Sequence, residues 1–82
     1  VEPKVGEHYY CKGRRDILTC LGVMRWDGAM EFRRLMANKR GERKVEFIAE
    51  RDFHTLKHLN EMEVLACVAR LVDRRERGYA PG

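Results

Sequence analysis

The chain of 82 residues contains no serine and no glutamine. The missing serine removes every mechanism that attacks through a serine hydroxyl. Long apolar runs are missing too. The longest lies within residues 17–24, far short of the roughly 20 residues that a helix needs to cross a bilayer. The opening VEPKVGEHYY lacks the apolar stretch of a secretory signal, so a cytoplasmic location and no membrane association are expected. Cys11, Cys20 and Cys67 are odd in number and widely spaced. They form neither the close pairs of a zinc site nor the even set of a disulfide framework. GRRD and NKRGER fit no glycine-rich phosphate loop. Internal repeats and low-complexity tracts are absent as well.

What is present suits one small domain over residues 1–82. Such a chain buries only about 60–65% of its unfolded surface, so one modest core is expected. Trp26, the Phe and Tyr residues and many Val, Leu and Met residues supply it. The net charge is +4, which permits attraction to nucleic acid or another polyanion.

Residues 61–77 read as a helix. Asn60 is a favoured N-cap, and Glu61 and Glu63 suit the positive end of the helix dipole. Val64, Leu65, Val68, Leu71 and Val72 fall within one arc of roughly 120°. Arg74, Arg75 and Arg77 load the last turn, and Gly78 suits the stop.

Residues 7–49 read as strands. EHYYCK is aromatic-rich, and ILTCLGVMRW is a near-continuous apolar run fit for a central strand. Asp27-Gly28 signals a type I′ hairpin. AMEFRRLM and KVEFIA both alternate, and residues 50–59 read as a connection with one helical turn. Residues 1–6 and 79–82 are expected to fray. The fold class is therefore α+β: an antiparallel four-stranded meander with one C-terminal helix packed on its greasy face. Strong curling would make it a small open SH3-like barrel.

The densest chemical feature is basic. Arg33, Arg34, Lys39, Arg40, Arg43 and Lys44 crowd one hairpin and its tip, offset only by Glu42. Such a hairpin can lie along a phosphate backbone and release counterions. It can equally be a solvated edge that resists aggregation. Lys12, Arg14 and Arg15 form a second basic turn, which extends the patch only if the fold brings both tips together. Arg70, Arg74 and Arg77 form a third, with Asp73 and Glu76 available to pair with them. Tyr9, Tyr10 and Trp26 are the aromatics a base could stack on. Alternation along a strand sends Tyr9 and Tyr10 to opposite faces. Trp26 suits a core lid. His54 and His58 have legitimate ligand spacing but no close cysteine pair beside them, so no metal or other cofactor is expected. Cys20 and Cys67 read as buried, which leaves Cys11 as the candidate exposed thiol. No enzyme is expected.

From Asp16 onward the motif order resembles the C-terminal domain of LexA-type repressors and their self-cleaving relatives. DIL resembles that family's strand opening. DGAMEFRRLM is similar to its turn and lysine-bearing strand, and VEFIAERDF to the next strand and its bend. MEVLACVARLVDRR looks like its closing strand. Val1-Glu2-Pro3 resembles the residues after the family's nucleophilic serine, which would precede residue 1. The family's lysine falls on Arg33, and arginine cannot deprotonate to act as a base. The resemblance thus implies a non-cleaving dimerisation domain. It also implies that residues 63–72 are a strand, against the helix signals.

Three functions follow as expectations. The first is a non-enzymatic, nucleic-acid-associated or regulatory binding module. The second is a protein-binding inhibitor or regulator of phage or plasmid type. The third is the degenerate LexA-like domain.

Overall fold

The computed structural model describes residues 2–78, with side chains through residue 74. Five strands form one antiparallel sheet: β1 (His8–Cys11), β2 (Asp16–Met24), β3 (Met30–Arg34), β4 (Val45–Ile48) and β5 (Leu56–Leu59). Their spatial order is β4-β3-β2-β1-β5, so β4 and β5 are both open edges. A 3₁₀ helix, Glu50–Thr55, carries the chain from one edge to the other. The helix α1, Glu61–Gly78, follows β5.

The α+β class and the single C-terminal helix agree with the sequence reading, but the sheet has five strands rather than four. The added strand, β5, lies in the stretch read as a connection. Leu56 and Leu59 are three positions apart, so in a strand they point to opposite faces and give no alternating signal. Residues 63–72, a strand under the LexA-type resemblance, are helical.

The sheet has two apolar faces, not one. Ile17 and Leu18 are neighbours on β2, both fully buried, on opposite sides. Leu18 belongs to a cluster with Tyr9, Cys20, Phe32 and Ile48, covered by Phe53 of the 3₁₀ helix. Tyr9 meets Phe32 edge to face at 6.2 Å. Ile17 belongs to a second cluster with Leu59 and Cys67, onto which Val64, Val68 and Leu71 pack.

Helix α1 starts at a reciprocal cap. Asn60 Oδ1 accepts the Glu63 amide at 2.8 Å, and Glu63 Oε1 accepts the Asn60 amide at 3.0 Å. Its buried stripe is narrower than the sequence arc. Cys67 is buried, whereas Leu65 and Val72 are exposed, at 67% and 40%. The helix sits over β5, β1 and the start of β2, and so narrow a strip can cover only one side of the arc.

The β2–β3 turn differs from the expected type I′. Gly28 has φ +85°, but Asp27 stays at negative φ. The Gly28 amide donates to Arg25 O at 2.9 Å, and the Arg25 amide donates to Ala29 O at 2.7 Å. This is the three-residue loop built from a type I turn and a left-handed glycine. It lifts Trp26 to 94% exposure, so Trp26 is not a core lid. Residues 2–6, read as a frayed lead, lie against the sheet: Pro3 is buried, and the Gly6 amide donates to Cys20 O at 2.9 Å. Residues 79–82, also read as frayed, lie outside the described residues.

Candidate nucleic-acid interface

The strand register decides where the basic residues go. Cys11 pairs with Asp16, Arg33 with Val45, and Cys11 also with Leu56. Three segments therefore leave or enter the sheet at the same end: the β1–β2 turn, the β3–β4 loop and the start of β5. The condition set by the sequence is met, because Lys12, Arg14 and Arg15 share an end with Lys39, Arg40, Arg43 and Lys44. Helix α1 runs back toward this end, and its Arg70 and Arg74 border the same groove as Lys12. The other end carries Asp27, Glu50, Glu61 and Glu63, at the β2–β3 turn, the start of the 3₁₀ helix and the start of α1. The two ends thus differ in sign.

The basic hairpin does not present all its cations alike. Arg33 is exposed on the face that α1 packs on. Arg34 points to the other face, where its Nη2 donates to Glu46 Oε1 at 2.7 Å and its Nε lies 3.7 Å from Asp16 Oδ2. Arg14 Nη1 donates to the same Glu46 oxygen at 2.9 Å. Arg34 is therefore a structural cation more than a surface one. Lys39, Arg40, Arg43 and Lys44 are exposed on the loop. Asn38 shapes that loop: its Oδ1 accepts the amides of Arg40 and Glu42, both at 2.9 Å. Gly41, at φ +80°, lets the chain reverse there. The basic tip is thus a folded turn, which holds its side chains apart at low cost in ordering on binding.

Arg15 has φ +51° and is the one described residue other than glycine with positive φ. A left-handed conformation costs a non-glycine residue roughly 1–2 kcal/mol. Arginine stands where glycine would fit better.

Between α1 and the β1–β5 edge lies an open groove of about 890 Å³. Tyr10, Leu59, Cys67 and Leu71 give it apolar walls, and Lys12, Lys57, Arg70 and Arg74 give it charge. No carboxylate stands among the described residues lining it. Lys57 is a rim residue, 3.9 Å from Glu63, and Arg70 Nη2 lies 3.3 Å from Cys67 Sγ. Sequence reasoning missed this groove, because one wall is β5, which carries no periodic signal.

The remaining candidates disperse. His58 Nε2 donates to Glu7 Oε1 at 2.9 Å, and His54 Nδ1 donates to Arg51 O at 2.7 Å. Cys11 is buried, contrary to its reading as an exposed thiol. Burial pushes the Cys20 thiol above its ordinary pKa, partly opposed by a hydrogen bond with the Gly22 backbone. Among the described residues no three His, Cys, Asp or Glu side chains gather as metal ligands would, and no helix is long and apolar enough to cross a membrane. Comparison with protein-family models, curated proteins and solved structures finds no match.

Proposed function

We propose that this chain is a non-enzymatic binding module whose basic end contacts a polyanion, namely nucleic acid. The observation that supports it is the shared end of the sheet. Three basic segments separate in sequence arrive together, while acidic residues collect at the far end. Arg40 and Arg43 at the loop tip and Lys39 and Lys44 beside them would contact phosphates. Arg33 would extend the surface, and Arg14 and Arg15 would flank it. Arg34 would act indirectly, by holding the β3–β4 hairpin. The strained Arg15 supports the same reading, since strain at a charged position points to selection for the charge. In finer detail, the strand order and the 3₁₀ connection to β5 support a curled, SH3-like open barrel; a cytoplasmic site of action belongs to the same proposal.

The test is fluorescence anisotropy with labelled DNA and RNA at increasing salt. The wild type should bind at about 50 mM salt and weaken steeply as salt rises. Arg40→Ala with Arg43→Ala should weaken all sequences about equally and lower the salt slope by about 1 for each phosphate no longer neutralised. Absence of binding to either nucleic acid at about 50 mM salt overturns the proposal.

A second reading, a protein-binding regulator, rests on Trp26. It stands 94% exposed at the opposite end, in the turn that follows the exposed Val23 and Met24 of β2. Isolated apolar side chains are ordinary on surfaces, but tryptophan is enriched among the residues that anchor interfaces. Partner capture that survives high salt and is lost in Trp26→Ala would favour this reading.

A further inference from the structure

We propose that the groove between α1 and the β1–β5 edge receives an unpaired nucleotide of a single-stranded nucleic acid. This rests on the reading of the basic end as a polyanion surface, and names the form of polyanion. The groove, about 890 Å³, is within the range of roughly 300–1,000 Å³ typical of ligand pockets. It combines the two features that single-strand sites share: a cationic border for the backbone and an aromatic ring for the base.

The key juxtaposition is Tyr10 with Lys57. They are directly opposed on β1 and β5, so their side chains leave the same face next to each other. Tyr10 is half-buried, which leaves part of its ring reachable and the rest anchored against the Ile17 cluster. Lys57 is exposed at the open edge, with Lys12, Arg70 and Arg74 bordering the same space. A base laid on Tyr10 would bring its phosphate within reach of Lys57. In a duplex the bases are stacked and paired, and reaching Tyr10 would require flipping one out. The groove therefore selects unpaired strands, whereas the loop cations Arg40 and Arg43 do not discriminate.

The experiment compares a short labelled oligothymidylate with a duplex of equal length at about 50 mM salt. Tyr10→Leu keeps an apolar side chain against the core but removes the ring. It should weaken oligothymidylate binding at least about fivefold and leave duplex binding unchanged. Tyr10→Phe should restore single-strand binding. Lys57→Ala changes an exposed side chain, so the fold is preserved, and it too should weaken the single strand. Unchanged oligothymidylate affinity in Tyr10→Leu and Lys57→Ala overturns the groove site. If the wild type binds duplex only, this proposal fails and the basic-end reading stands. If it binds neither, both fail.

Discussion

Arg14, in the turn between β1 and β2, donates its Nη1 to Glu46 Oε1 on β4 at 2.9 Å, across 32 positions of sequence. Two strands, β2 and β3, lie between them in the sheet. The contact reaches across the end of the sheet and ties the β1–β2 turn to β4. Arg34 shares the same oxygen at 2.7 Å, so one carboxylate clamps two basic segments that would otherwise repel.

Glu46→Gln tests this clamp. The variant keeps one acceptor but loses the charge shared by two guanidinium groups. Charge-assisted hydrogen bonds contribute about 1.5–3 kcal/mol, and partial exposure here lowers that. Stability in urea should fall by about 1–2 kcal/mol. Polyanion affinity at low salt should rise, because the basic end gains net positive charge. A fall in affinity at unchanged stability would show that Glu46 does not restrain these arginines.

The class of the fold was legible because it rests on local signals. Asn60 signals an N-cap and Glu63 an acidic first turn, though not the reciprocal bonds between them, and Met30 with Phe32 alternate as a strand must. What was hidden depends on tertiary partners. Leu56 and Leu59 serve different faces of an edge strand, so no periodicity marks them. Leu65 and Val72 lie on the arc of α1 that the sheet is too narrow to reach. The basic loop was visible as a run of charge. Its meeting with Lys12, Arg14 and Arg15 was not, because it depends on strand register. The Tyr10–Lys57 pair required β5 to exist first.

The helix cap gives a second prediction. Asn60→Ala removes the acceptor of the Glu63 amide and loosens its reciprocal partner. The cost should be about 0.5–2 kcal/mol, with helical circular dichroism lost before strand signals on heating. Asn60→Asp, which keeps the acceptor, should stay near wild type.

Along the same helix, Leu65→Ala should change stability by less than about 0.5 kcal/mol, because the side chain is 67% exposed. Ile17→Ala, beneath the helix and fully buried, should cost about 2–5 kcal/mol. Denaturant midpoints compare the two directly. A large loss in Leu65→Ala would place the sheet-facing stripe of α1 where the sequence arc had it.

Cys20 predicts a pH dependence. Its thiol is raised by burial above an ordinary value of about 9.0. Below that value both folded and unfolded chains keep the proton, and stability is unaffected. As pH rises past it, the unfolded chain ionises first and the folded chain does not, so stability is lost. Urea midpoints should drop above about pH 9 more steeply in the wild type than in Cys20→Ala. Parallel slopes would remove Cys20 as the cause.

Arg15→Gly sets strain against function. At φ +51° the arginine occupies a region that glycine enters freely. Relief of the left-handed penalty, roughly 1–2 kcal/mol, is offset by about 0.5–1 kcal/mol of extra unfolded-chain entropy for glycine. The variant should therefore be about as stable as the wild type or more so, by up to about 1.5 kcal/mol. Nucleic-acid binding should weaken, with a lower salt slope, since one cation leaves the basic end. Arg15→Lys separates the two effects: it keeps both strain and charge, and should match the wild type in stability and salt slope. A clear loss of stability in Arg15→Gly would mean that the arginine side chain holds the turn, and the strain would then no longer speak for binding.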